Sequence, residues 1–228
     1  SLLGGLLRDA NLEVRRAALG AAAQNYEPLH LPHVLAALDQ PSLGRRAADV
    51  LKAWPSHVSV PALTSAVREA STRQRRRVAL SALGRLAHTA AVEALLTFVT
   101  HEADDVRQGA LLGLTRQAVR GASLTTGHAA LEGAALGELR RLEACELCAA
   151  RLASEGLPAA RLVSARRELT LSAERAEERM FGWLALIYPR DEMVRCARAL
   201  AGQEPKARAF ALEMLEQRLS AALRREVM

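Results

Sequence analysis

The chain has 228 residues, half of them apolar yet only 3% aromatic, and a formal net charge of +6. That apolar content is enough for a continuous core, but no uncharged apolar run approaches the about 18 residues of a membrane span. The N-terminus lacks the charged-then-apolar layout of a signal peptide, and three cysteines make no disulfide framework, which favours a reducing compartment.

Ala and Leu dominate, both good helix formers, and no segment alternates as a strand would, so the spacing predicts an all-α chain. The first predicted helix is Leu2–Arg8, followed by a turn at Asp9-Ala10-Asn11 and a second helix over Leu12–Gln24. The pattern returns as Leu31–Leu38, a turn over residues 39–42, and Leu43–Trp54. It returns again as Val60–Ala70 with Arg73–Ala87, and as Ala91–His101 with Asp105–Ala118. Asp and Asn at the turns are expected to cap the second helices, and Pro32 and Pro61 to sit in first turns, where a missing N–H costs nothing. Regularity breaks at Arg120-Gly121-Ala122-Ser123. Beyond it, a long helix is predicted from about Thr126 to Ser154, and another from Gly156-Leu157-Pro158 to about Tyr188, with Pro189 just past its end. Asp191–Ala201 and Pro205–Leu219 form a closing pair. The chain begins on Ser1-Leu2-Leu3, inside a predicted helix, and so reads as a piece of something longer.

The second helices share an internal rhythm. Val14-Arg15 precedes Ala18; Leu43-Gly44 precedes Ala47 and Leu51; Arg75-Arg76 precedes Ala79 and Leu83; Val106-Arg107 precedes Ala110 and Leu114. The four alanines follow one another at intervals of 29, 32 and 31 residues, and Ala207-Arg208 with Ala211 and Leu215 repeats the motif once more. Such a period marks stacked supersecondary units, here a right-handed α-solenoid of about five to seven helical pairs. The small Ala admits a neighbouring helix and the Leu fills the adjacent layer. The expected organisation is regular repeats over residues 1–120, then a long helical pair with a closing pair over 121–228, in one continuous array.

Helix pairs with a turn Asp and a second helix of the form V-R-x-x-A-x-x-x-L resemble HEAT repeats. A narrower resemblance lies in Glu178-Arg179-Met180-Phe181, Leu184-Ala185-Leu186-Ile187-Tyr188-Pro189 and Ala207-Arg208-Ala209-Phe210-Ala211-Leu212-Glu213-Met214-Leu215-Glu216. These words are similar to the HEAT-repeat segment attached to bacterial ATP/ADP-carrier-like and major-facilitator-like membrane proteins, although Glu216-Gln217 stands where that family favours Asp-Asn. The resemblance implies a regulatory or interaction module, cytoplasmic and tethered to the inner membrane through a flanking segment. It implies no transport residues in this chain.

Chemistry-bearing motifs are sparse. Cys145-Glu146-Leu147-Cys148 is a CxxC, but a structural zinc needs four ligands and no second pair exists, with Cys196 and His128 as remote additions. Cys145 and Cys148 are thus weak metal candidates, better read as small apolar residues. His101-Glu102 is similar to the His-Glu pairs of HEAT-repeat di-iron hydroxylases, which need several such pairs converging; with a single pair a solvated helix end is expected, and His30 and His33 read as polar groups between repeats. Trp54 and Trp183 read as packing residues. There is no Gly-rich phosphate loop and no nucleophile elbow. No cofactor and no enzymatic activity are therefore expected.

The remaining signal is charge. Residues 1–120 carry 15 basic and 10 acidic side chains against 16 and 15 in residues 121–228, and only Lys52 and Lys206 are lysines. Arg73, Arg75, Arg76 and Arg77 form the densest cluster, with Arg45-Arg46 and Arg15-Arg16 in earlier copies. Stacked second helices would align some of these into a ridge that could track phosphates, acidic lipid headgroups or an acidic peptide; the plainer and favoured reading is a solvated face with inter-repeat ion pairs to Glu13, Asp49, Glu69 and Asp105. The expected function is a non-catalytic scaffold that binds a protein or peptide, with Arg16, Arg46, Arg75, Arg77 and Gln108 facing the partner. Two alternatives are a nucleic-acid-binding ridge, recognisable by steep salt dependence, and an enzyme with an unrecognised pocket in the C-terminal half.

Overall fold

The computed structural model describes residues 2–154 and 159–227, and all its regular structure is helical. Thirteen α-helices lie among these residues, in two compact units, residues 1–123 and 124–228. The expected break at Gly156-Leu157-Pro158 falls outside the described residues.

Unit 1 contains α1 (Leu2–Leu6), α2 (Leu12–Gln24), α3 (Leu31–Ala37), α4 (Gly44–Ala53), α5 (Ser56–Arg68), α6 (Arg73–Leu83), α7 (Thr89–Leu96) and α8 (Asp104–Val119). Each first helix packs on the helix that follows it, and α2, α4, α6 and α8 pack successively side by side. Ala18, Ala47, Ala79 and Ala110 are all buried, as are Leu51, Leu83 and Leu114 four residues after the last three. The repeated motif therefore marks the buried face of each second helix. Close approach is enforced where α6 ends: a Cβ on Gly84 would stand 2.6 Å from the Gly113 Cα, so the backbones touch where only glycine fits. Trp54 donates its indole N–H to the Ala22 carbonyl at 2.7 Å and packs edge-on against Tyr26, which ties α4 to the end of α2.

The caps differ from expectation in instructive ways. Asn11 does cap α2, accepting the Glu13 N–H at 2.8 Å, but Thr72 caps α6 and no side chain caps α4 or α8. Asp39 is drawn off into another task, accepting from the Thr72 hydroxyl at 2.7 Å and from Arg75 at 3.1 Å. Asp104 and Asp105 stand in the first turn of α8, where negative charge opposes the helix dipole. Pro61 is not in a first turn. α5 starts at Ser56, directly after Pro55, which leaves Pro61 inside the helix. Both Pro61 and His57, whose carbonyl loses its helical donor, are exposed, so water can satisfy that carbonyl. α6 and α7 are also shorter than predicted, because Gly84 closes the first and tight turns from Thr97 to His101 close the second.

The arginines near the starts of α2, α6 and α8 are structural, while α4 has Gly44 in that place. Arg15 donates to Gln40 at 2.9 Å, Arg76 to Asp105 at 2.8 Å, and buried Arg107 to the carbonyls of His101 and Glu102 at 2.8 and 2.6 Å and to Asp104. The His101-Glu102 pair thus forms a backbone turn around Arg107, and the His101 imidazole accepts the Ala103 N–H at 3.0 Å.

Unit 2 contains α9 (His128–Ser154), α10 (Ala159–Ile187), α11 (Arg190–Ala201), α12 (Pro205–Arg218) and α13 (Ala221–Val227), the last not expected from sequence. α9 and α10 run antiparallel: Arg179 meets Glu138 at 3.0 Å while Tyr188 meets Glu132 at 3.2 Å. Trp183, Met193 and Cys196 are fully buried at the base of this hairpin. Farther along, none of residues 139–153 or 162–175 is fully buried. Tyr188 also accepts the Ser220 N–H at 3.2 Å, fixing the start of α13 to the end of α10.

Candidate functional site

The face shared by α4, α6 and α8 carries a groove of about 680 Å³. Four arginines line it: Arg45 from α4, Arg77 and Arg85 from α6 and the turn after it, and Arg116 from α8. Pro41, Val78 and Leu112 add apolar surface, and Leu112 is an exposed large apolar side chain. No carboxylate residue contributes to the lining.

Glycine sets the groove's depth. A Cβ on Gly109 would stand 2.5 Å from Leu80 Cδ1, so α8 sits close against α6 and its backbone forms part of the wall. Gly44 serves α4 similarly: a Cβ there would meet the Leu38 carbonyl at 2.9 Å and Gln74 Nε2 at 3.3 Å. Repetition sets the arginines. Arg45 and Arg77 stand two residues before Ala47 and Ala79, while Arg85 and Arg116 stand six residues after Ala79 and Ala110. Equivalent positions of neighbouring copies therefore deliver the same charge to the same side.

Their partners are weak or neutral. Arg77 donates to Gln74 Oε1 at 2.8 Å, and an Arg116 terminal nitrogen lies 3.5 Å from the Ser81 hydroxyl. Arg85 has an Asp49 oxygen at 3.7 Å, while its buried Nε has no hydrogen-bond partner. Four guanidiniums facing one concavity with so little compensation favour an anionic occupant, and the apolar wall favours one that also carries a hydrocarbon group.

Of the five residues expected to face a partner, only Arg77 lines this groove. Arg46, one helical step of about 100° from Arg45, lines a separate crevice of about 260 Å³ with Gly20, Gln24 and Asp49. Arg75 is spent on the fold, paired with Asp39 at 3.1 Å and less than one-fifth exposed. Arg16 is exposed and paired with Glu13 at 2.7 Å, and Gln108 is exposed on α8 outside the groove lining. Glu69 accepts from the Ser65 hydroxyl at 2.7 Å. Arg85 and Arg116 went unnoticed in the sequence because they stand at helix ends, away from the dense 73–77 cluster. Their separation of 31 residues, one repeat, is the signal that finds them.

His30 is buried with Nε2 2.9 Å from a Glu27 oxygen, and His33 lines a small crevice with Arg8, Arg15 and Gln40. In unit 2, Cys145 is half-buried and Cys148 exposed on α9; the thiol of buried Cys196 is pushed up first by burial and then by Glu192. Among the described residues no three His, Cys, Asp or Glu side chains converge into a metal-holding group, and no helix is long and apolar enough to cross a membrane. No protein-family model and no curated protein matches the chain.

Proposed function

We propose that the protein is a non-catalytic interaction module whose unit 1, a HEAT-type array, binds an acidic segment of a protein partner on the α4–α6–α8 face. The observation that carries this reading is the convergence of Arg45, Arg77, Arg85 and Arg116 on one groove whose lining holds apolar side chains but no carboxylate residue. A protein segment fits that combination better than a nucleic acid. Single strands bind through aromatic stacking as well as phosphate contacts, and no aromatic residue lines the groove. The link to a larger membrane protein rests on the resemblance of residues 178–216 and belongs to the same proposal.

The test is fluorescence anisotropy with labelled poly-glutamate and a labelled single-stranded DNA decamer at rising salt. Combined Arg45→Glu, Arg77→Glu and Arg85→Glu substitution should abolish poly-glutamate binding. Reversal of the exposed Arg166 and Arg167 on α10 should leave it unchanged. Equal loss from both sets of substitutions would reduce the binding to bulk charge, and tight binding of the DNA alone would replace the protein partner with a nucleic acid.

A further inference from the structure

Resting on that reading, we infer that the groove selects an extended segment of the form acid–x–apolar–x–acid. The arginines are arranged in two rows. Arg45 and Arg77 occupy one repeat position on neighbouring helices, and Arg85 and Arg116 occupy another. Each row offers guanidiniums from two packed helices, whose axes stand about 8–10 Å apart, a span that long arginine side chains can close around one carboxylate. The rows are separated by the eight residues from Arg77, on α6, to Arg85, in the αR turn that closes it, a backbone rise of about 12 Å.

Leu112 stands midway between the rows in repeat register, four residues before Arg116 and four after Gln108, the position that matches Arg77. Val78 follows Arg77 directly, and Leu112 precedes Arg116 by one turn of α8; both line the groove. An occupant must therefore present two anions about 12 Å apart with a hydrocarbon side chain midway. An extended chain rises about 3.3 Å per residue and returns its side chains to one face every second residue. Residues i and i+4 then point the same way about 13 Å apart, with i+2 between them on the same face. A helical segment would instead need acids about eight residues apart, on a body about 10–12 Å across. The groove, at about 680 Å³, has the dimensions of a few extended residues. Arg85 gives the second row its selectivity: its neighbour Asp49 lies 3.7 Å away, and an incoming carboxylate must offer Arg85 a better contact than Asp49 does.

The experiment titrates the chain with three labelled peptides of equal length, each with two glutamates and one leucine. One carries Glu-Ala-Leu-Ala-Glu in an otherwise Ser-Gly sequence, one has adjacent glutamates, and one has glutamates eight apart in a helix-forming frame. The first should bind at least tenfold tighter than the others, and Arg77→Glu and Arg85→Glu should each weaken it at least tenfold. Arg45→Glu, on a different helix, provides a second variant should either of these unfold, and thermal unfolding of each variant checks its integrity. Equal affinity for all three peptides, lost on charge reversal, would overturn the spacing while leaving an acidic partner in place. Preference for the helical peptide would overturn the extended conformation. Failure of every peptide to bind, or binding indifferent to all three reversals, would overturn the acidic-partner reading itself.

Discussion

In unit 1 the ion pairs that join one helical pair to the next lie at the margin of the fold. Arg76 meets Asp105 at 2.8 Å and Arg75 meets Asp39 at 3.1 Å, with every one of these side chains part-exposed. In unit 2 Arg179 meets Glu138 at 3.0 Å with the arginine 4% exposed and the carboxylate not at all. The contrast follows from architecture. A repeated pair spreads its burial over many small Ala and Leu contacts and can leave charge at the ends of helices. A long hairpin with no fully buried residue over 139–153 or 162–175 draws its buried contacts from its base, where the Arg179–Glu138 pair, with Arg141 4.0 Å from the same carboxylate, joins α9 to α10.

The largest effect that would sharpen this contrast is at Glu138. Glu138→Ala removes the carboxylate facing Arg179 inside the seam and should cost about 3–5 kcal/mol. Asp105→Ala, at a part-exposed pair, should cost about 1 kcal/mol or less. Urea unfolding followed by circular dichroism checks both, and equal costs would erase the distinction. Next comes Gly84→Ala, where the new methyl would meet the Gly113 backbone at 2.6 Å. Neither backbone can yield as a flexible side chain could, so a loss of about 1–3 kcal/mol is expected. Its counterpart in unit 2 is Gly133→Ala on α9, where nothing lies within 4 Å. That change should stabilise by up to about 1 kcal/mol through helix propensity alone. Opposite signs in thermal unfolding would confirm that Gly84 is a packing device and that Gly133 is dispensable.

A smaller loss, about 1 kcal/mol, is expected from Tyr188→Phe, which severs the bridge from Glu132 to the Ser220 N–H. Burial, followed by Glu132, pushes the Tyr188 hydroxyl up from its ordinary value, although the bond from Ser220 opposes this. A raised folded pKa means stability that is fully present below the unfolded value and lost as pH rises through the folded one. The wild-type chain should therefore lose stability above about pH 10, and Tyr188→Phe should flatten that part of the loss.

Helix existence was readable because period and composition agree along the chain, and the buried Ala and Leu positions followed from the same rhythm. Helix ends were less readable. α5 begins a turn early because Pro55, not Pro61, opens it, and α4 goes without a side-chain cap while Asp39 accepts from the Thr72 hydroxyl and from Arg75. The groove was half readable. Density of charge pointed to residues 73–77, yet a run of adjacent residues on a helix fans out around its axis, so only part of any cluster can share a face. Residues one repeat apart share a face by construction. The useful signal was therefore the 31- and 32-residue recurrence of arginine rather than its local concentration.

Arg76 and Arg77 put that distinction to the smallest and most direct test. They are adjacent in sequence and equal in charge, but one helical step of about 100° separates their tasks. Arg76 turns toward Asp105 in the next copy, whereas exposed Arg77 turns into the groove, where Gln74 is its hydrogen-bond partner. Arg76→Ala should lower stability by about 0.5–1 kcal/mol, a cost discounted because the pair is part-exposed. Arg77→Ala should change it by less than about 0.5 kcal/mol, since it gives up only a solvated contact. The order should reverse in the peptide titration, where Arg77→Ala weakens binding and Arg76→Ala does not. A variant pair that moved together in both measurements would mean that the cluster acts through bulk charge, with no division between a residue that joins the copies and one that serves the groove.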